Sequence, residues 1–329
     1  MKTLRILKNV AVVFMALLLI NSCETVETPE PMGDAGQTIV KLFPAGFKLI
    51  ALDAIPTSQK AVMFEVRRDV ANEADLNSAT TAVLKFKQSI LDTFNVHNDM
   101  ALEVLGSNLA TIAPAPSADG SIALNFAAGE FSKSITVTIP DATKFNFSKQ
   151  YGFGYEIQFT GGTGKLSEAA EKEVVVQVLV KNKYDGIYEV KANSPMVDIL
   201  NASLTGYYPF VYVLETSGAH SVMCYDRDVW GDYMHPIMSG TNVSGYGSFG
   251  LEIFFDPSGS GKIIDVKNPW GNPPGNTRMP KIDESGINAW NPTSKNVDFK
   301  YFMIQPSLVP DAPHIRVYFD ETWTYKGPR

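Results

Sequence analysis

An all-β chain is expected, built as an N-terminal immunoglobulin-like β-sandwich followed by a C-terminal antiparallel β-barrel of calycin or lipocalin type. Three observations point there. Short segments of period-2 alternation, rich in β-branched residues, recur from Thr38 onward and are separated by Gly, Pro, Asn, Asp and Ser. Only one short helical pattern interrupts them, around Ser89–Phe94. The last alternating segment is long enough to close a meander on itself, which removes exposed sheet edges.

In SKSITVTIP, Ile135, Val137 and Ile139 face one side while Ser134, Thr136 and Thr138 face the other. In EVVVQVLVKN, Val174, Val176, Val178 and Val180 share a face. Thr38–Phe43, Ala61–Arg68, Thr81–Phe86, Ile122–Phe126 and Gly154–Phe159 complete the first set of strands. Lys181-Asn182-Lys183 then breaks the apolar pattern. The boundary is placed there, with the sandwich over 38–182 and the barrel over 183–329. Strands of the second half are expected at Phe210–Glu215, Ser221–Tyr225, Phe249–Phe255, Lys262–Val266, Val297–Ile304 and Ile315–Tyr325. FFDPSGSGKIID reads as strand, turn, strand, with Asp256-Pro257-Ser258-Gly259 supplying the turn. In HIRVYFDETWTY, Ile315, Val317, Phe319, Trp323 and Tyr325 lie on one face, so Trp323 is expected in the core. An open sandwich is the alternative to a closed barrel.

The chain starts with Lys2, Arg5 and Lys8, followed by an apolar run from Val10 to Ile20. That is the layout of a secretory signal over residues 1–22, too short for the ~20 residues a membrane span requires. Ile20-Asn21-Ser22-Cys23 resembles a bacterial lipobox, which implies acylation of Cys23. Several acyl chains on one cysteine suffice for a stable anchor. Residues 23–37 are acidic, carry Pro and Gly, and read as a flexible tether. Acids beside a lipidated cysteine resemble the surface-export signal of Bacteroidetes lipoproteins, so an outer-membrane, surface-exposed location is expected. Cys224 is expected to be a small buried apolar residue, with no disulfide formed.

The formal net charge of -7 falls to -10 once residues 1–22 are removed, because 25 basic groups then face 35 acidic ones. With no basic cluster, nucleic acid is excluded as a partner. GYGSFG at 245–250 matches a dinucleotide fingerprint by letter, but a strand follows it where a helix is needed. GSGK at 259–262 resembles a phosphate loop but belongs to the hairpin turn. Asp226, Asp228 and Asp232 around Gly231 suggest a weak calcium loop, yet Ile237 stands where the bidentate Glu belongs. His97, His220, His235 and His314 have no metal-ligand spacing. Asp226 and Asp228 lie two apart on one strand, which does not place carboxylates on opposite sides of a glycosidic bond. No catalytic residue, metal or cofactor is assigned.

Trp230, Trp270 and Trp290 stand in the loop-like contexts DVWGDY, NPWGNPPGN and NAWNPTS. Sugar rings pack on indole faces, and neighbouring polar groups reach their hydroxyls. Trp230, Tyr233, Trp270, Asn272 and Trp290 are therefore the candidate ligand-binding residues. The competing reading has each indole plugging a barrel end or pinning a loop.

VKLF at 40–43, FEVRRDVANEADLNSATTAVLKF at 64–86, LDTFN at 91–95 and the strand Ile135–Ile139 together resemble a Bacteroidetes lipoprotein domain, domain of unknown function 1735. YDGIYEV at 184–190, the FDPSGSGKIIDV hairpin and NVDFKYF…RVYFDETWTY resemble the calycin-like domain that often follows it. The resemblance implies a surface accessory of a polysaccharide-utilisation system that captures poly- or oligosaccharide beside an outer-membrane glycan importer and has no enzymatic activity. The alternatives are a structural or adhesive envelope lipoprotein with a protein partner, or an unrecognised glycoside hydrolase.

Overall fold

Each alternating segment of the sequence forms a strand, and the strands sort into two separate cores. In this computed structural model residues 34, 36–271 and 275–329 are described. The leader, Cys23 and Asn272 lie outside the described residues, as does most of the tether.

The first core holds eleven strands. They are β1 (Ile39–Phe43), β2 (Gly46–Asp53), β3 (Gln59–Asp69), β4 (Thr80–Phe86), β5 (Leu102–Val104) and β6 (Thr111–Ala113). β7 (Ser121–Phe126), β8 (Ser132–Ile139), β9 (Gln150–Gly162), β10 (Lys165–Leu166) and β11 (Glu173–Lys181) follow. One sheet has the order β10-β1-β3-β8-β6, the other β2-β11-β9-β4-β7 with β5 on β9. The first strand switches sheets. β1 pairs antiparallel with β3, and after Pro44-Ala45 β2 pairs parallel with β11 in the facing sheet. This crossover gives the immunoglobulin-like sandwich.

Ile135, Val137 and Ile139 are fully buried between the sheets, as are Val174 and Val176. Val175 points the other way and is covered by the helix Gln88–Asn98 through Ile90 and Leu91. That helix runs past the expected Ser89–Phe94 at both ends. Arg68 is buried, and its guanidinium donates to the carbonyls of Leu76, Ser78, Ala127 and Glu130. It thereby ties down two loops. Asp34, counted with the tether, is held against the sandwich by donors from Ser167 Oγ and the Glu168 amide.

The second core is built on β12 (Gly186–Ala192), β13 (Val197–Asp198), β14 (Leu204–Gly206), β15 (Phe210–Gly218), β16 (Ser221–Asp226) and β17 (Pro236–Ser239). It continues through β18 (Asn242–Gly245), β19 (Glu252–Phe255), β20 (Ile263–Lys267), β21 (Met279–Ile282), β22 (Ala289–Trp290), β23 (Val297–Ile304) and β24 (Ile315–Gly327). The main sheet reads β20-β19-β16-β15-β12-β24-β23-β21, an up-and-down antiparallel meander whose last strand returns to its first. The seam between β20 and β21 is bridged at one end. The Ile263 amide donates to Asn288 O at 2.8 Å, and the Trp290 amide donates to Gly261 O at 2.8 Å. The result is a nearly closed barrel. Its interior is filled by Tyr188, Tyr212, Phe299, Tyr301, Phe319 and Trp323, with Cys224 fully buried among them. Burial pushes the Cys224 thiol pKa up, in keeping with an inert core residue.

A small sheet, β14-β17-β18, joins β14, which precedes β15, to the β17-β18 hairpin that lies between β16 and β19. The strand expected from Phe249 begins only at Glu252. A Cβ on Gly250 would lie 2.1 Å from the Tyr233 carbonyl oxygen, so the chain runs there as a close backbone crossing.

Candidate functional site

The loop that leaves β16 is organised by its first carboxylate. Asp226 is fully buried, and its oxygens accept from the Val229 and Trp230 amides, the latter at 2.9 Å. Its backbone also exchanges hydrogen bonds with Asp232, closing the loop. Burial raises the Asp226 pKa, and the loop amides oppose that shift. Asp228 points to solvent and pairs with Arg227. The two aspartates thus do different work: one folds the loop and the other is surface charge. Among the described residues no group of three His, Cys, Asp or Glu side chains could hold a metal.

This loop presents Trp230, which is 40 % exposed. The indole lies over Gly245, where an added methyl would meet Trp230 Cζ2 at 3.5 Å and Met234 Cε at 3.0 Å. Tyr233 packs edge-on against Tyr225 and donates its hydroxyl to Glu215 at 2.7 Å. Its hydroxyl pKa is raised by burial and by that carboxylate. The Tyr233 carbonyl accepts from Trp270 Nε1 at 2.9 Å, and Trp270 is also 40 % exposed. Trp270 is therefore tied to the loop that carries Trp230, and each indole leaves part of its ring to solvent. Trp290 is different. It is 4 % exposed, stands edge-on to Tyr184 and plugs the seam of the barrel. A buried indole offers no face to a ligand, so Trp290 belongs to the core and not to this rim.

The glycine motif at 245–250 proves to be the spine of the site. Gly245 admits Trp230, and Gly250 admits the Tyr233 backbone and Pro269. Gly247, at φ +69°, makes the turn between them. No helix follows, as the sequence pattern required. Asn268 fastens the next loop to this spine. Its amide donates to Ser248 O at 2.9 Å and to Arg278 O at 3.1 Å, while its oxygen accepts from the Gly250 and Trp270 amides. Sequence reasoning overlooked Asn268 and Arg278, although an Asn two residues before a loop tryptophan is a familiar turn former.

Beneath the rim lies a polar cluster that the sequence reading also missed. Glu321 is fully buried. Its carboxylate accepts from Tyr208 Oη at 2.5 Å, Trp323 Nε1 at 2.8 Å and Tyr301 Oη at 3.3 Å, and shares a hydrogen bond with His235 Nε2 at 2.9 Å. His235 Nδ1 faces the Pro236 carbonyl at 2.9 Å, and a carbonyl can only accept, so Nδ1 carries a proton. The His235 amide donates to Phe249 O, tying the rim to the core. Glutamate, histidine and tyrosine at hydrogen-bond distance could in principle transfer protons. Here both charged-type side chains are sealed among aromatic rings, out of a polymer's reach.

No family model matches the chain, and no curated protein does. Among solved structures the chain is similar to a protein of unknown function from Bacteroides ovatus, at 12% identity and a TM-score of 0.48, covering 88% of this chain and 95% of that one. It is also similar to a multidomain protein including domain of unknown function 1735 from Bacteroides ovatus, at 10% identity and a TM-score of 0.44, covering 85% and 88%. An auxiliary nutrient binding protein from Bacteroides thetaiotaomicron stands at 12% identity and 0.44, covering 85% and 90%. At such values the likeness says nothing of which residues bind or what they bind.

Proposed function

We propose that the protein is a lipid-anchored outer-membrane surface protein that captures glycan without cleaving it, as an accessory of a polysaccharide-utilisation system. The observation that carries this reading is the pair of half-open indoles, Trp230 on the loop after β16, whose amide is held by a buried carboxylate, and Trp270 on the loop after β20, tied to the first loop through the Tyr233 carbonyl. A rigid aromatic platform loses little entropy on binding, and it suits the flat apolar faces of sugar rings. The anchor and location rest on the Ile20–Cys23 sequence and the acidic stretch after it.

Titration of the protein with a panel of soluble polysaccharides is the test of binding. Saccharide binding is expected, and Trp230→Ala combined with Trp270→Ala should weaken it at least tenfold, while Trp290→Ala should act on stability. Unchanged binding in the double variant would remove the rim from the reading. Labelled palmitate entering the wild type but not Cys23→Ala would support the anchor. Resistance of the protein to protease added to intact cells would count against surface exposure.

A further inference from the structure

Among the described residues Arg278 has no acidic partner. Its Nε is buried without a hydrogen-bond acceptor. Nη1 makes one long bond, 3.3 Å, to the neutral Asn276 oxygen, and Nη2 donates to nothing among the described residues. The nearest like charge is Arg316, whose own guanidinium is committed to Asp198 and Gln305. Burial and that neighbouring cation both lower the Arg278 pKa, and no carboxylate offsets them. A partly desolvated cation facing another cation is costly unless an anion joins it. The Nη edge of the guanidinium is the edge left free, and it matches a carboxylate in a two-point fork.

Its position links it to the platform. Arg278 Nη1 lies 4.0 Å from the place a Gly247 side chain would occupy, and Trp230 covers Gly245 two residues earlier. Two residues span at most ~7 Å, so with the two contact distances the indole and the guanidinium lie within about 15 Å of each other, within reach of one oligosaccharide. Neither glycine has a side chain to fill the interval.

Building on the glycan reading above, we propose that the ligand is an acidic glycan, and that Arg278 receives the carboxylate of a uronic-acid-type residue in the same oligosaccharide whose ring stacks on Trp230. The chain as a whole is acidic, with a net charge of -7, so it repels a dense polyanion. A glycan with an isolated acidic residue in a neutral chain meets both conditions.

The test uses the full chain and pairs of probes that share one backbone: xylo-oligosaccharide with and without a single glucuronic acid branch, and glucose against glucuronate and glucose 6-sulfate. Titration calorimetry is run on wild type, Arg278→Gln and Trp230→Ala. Wild type should prefer each carboxylate-bearing probe over its neutral partner about tenfold. Arg278→Gln should erase that preference and leave the neutral affinity unchanged, whereas Trp230→Ala should lower both. A preference for the sulfate ester over glucuronate would overturn the carboxylate assignment. Equal binding of neutral and acidic probes, or a preference that survives Arg278→Gln, would overturn the anion site and leave glycan capture standing. Failure of every probe and polysaccharide to bind would overturn both.

Discussion

Replacing Glu321 by leucine should cost the barrel a large part of its stability, and the size of the loss follows from the groups that meet it. Four groups converge on this carboxylate, three of them within 2.9 Å and Tyr301 at 3.3 Å. Leucine accepts from none. Tyr208 and Tyr301 can reorient their hydroxyls, but Trp323 Nε1 can only donate and the His235 ring is held by Pro236 O. A buried polar group left without its partner costs ~1–3 kcal/mol, and the change leaves two, Trp323 Nε1 and His235 Nε2. We expect a loss of ~4 kcal/mol, against a usual domain stability of ~5–15 kcal/mol. Glutamine should cost less, ~1–2 kcal/mol. Its amide can donate to a neutral His235 Nε2 and to the Tyr208 oxygen while its carbonyl serves Trp323 and Tyr301. His235→Leu made together with Glu321→Leu should recover at least ~1 kcal/mol relative to the sum of the single losses, because each removes the other's orphan. The assay is urea unfolding followed by tryptophan fluorescence. All four tryptophans lie at or beyond position 230, so the signal reports this half of the chain alone. A loss below ~1 kcal/mol for Glu321→Leu, or strictly additive single and double variants, would refute the reasoning.

Two further outcomes follow from the same structure. Gly250→Ala places a methyl 2.1 Å from the Tyr233 carbonyl oxygen, a backbone atom that cannot swing aside. It should cost ~1–3 kcal/mol by urea unfolding and weaken any saccharide that the rim binds. Alkaline pH should destabilise both halves. Burial raises the hydroxyl pKa of Tyr155 to about 12, and burial with the Asp256 charge raises that of Tyr184 to about 12, from an ordinary 10.0. Above pH 10 the unfolded chain sheds these protons while the folded chain keeps them. It then binds fewer protons than the native state, and stability falls by up to ~1.4 kcal/mol per pH unit per tyrosine until the folded groups titrate. Tyrosinate absorbance followed in native and urea-unfolded protein should show the two titrations apart. Coincident curves would remove the effect.

Much of the fold was legible because a half-buried strand writes its faces directly into the sequence. Ile135, Val137 and Ile139 alternate in the sequence and are fully buried in the structure. Val297–Ile304 matches its expected bounds, and the turn Asp256–Gly259 joins β19 to β20 as its residue types foretold. The sheet-switching first strand was harder to see, because β2 carries Phe47 and Leu49 outward and so lacks a polar face. Trp230, Trp270 and Trp290 all stand beside turn-forming residues, Gly and Asp for the first, Gly, Pro and Asn for the second, Asn and Pro for the third, and local chemistry alone cannot separate the first two from the third.

By itself, then, the sequence determined the all-β class, the two strand-built halves and the inward row of the last strand, since periodicity and turn chemistry act over a few residues. That inward row runs Ile315, Val317, Phe319, Glu321, Trp323, and the same alternation carries a carboxylate into the core beside the aromatic rings. Only the tertiary structure decided what that carboxylate meets, 86 residues away at His235, and which indoles reach solvent. It also decided that Arg278 is left without a counter-charge. Burial and pairing depend on which distant strands close the barrel, and no local pattern encodes that.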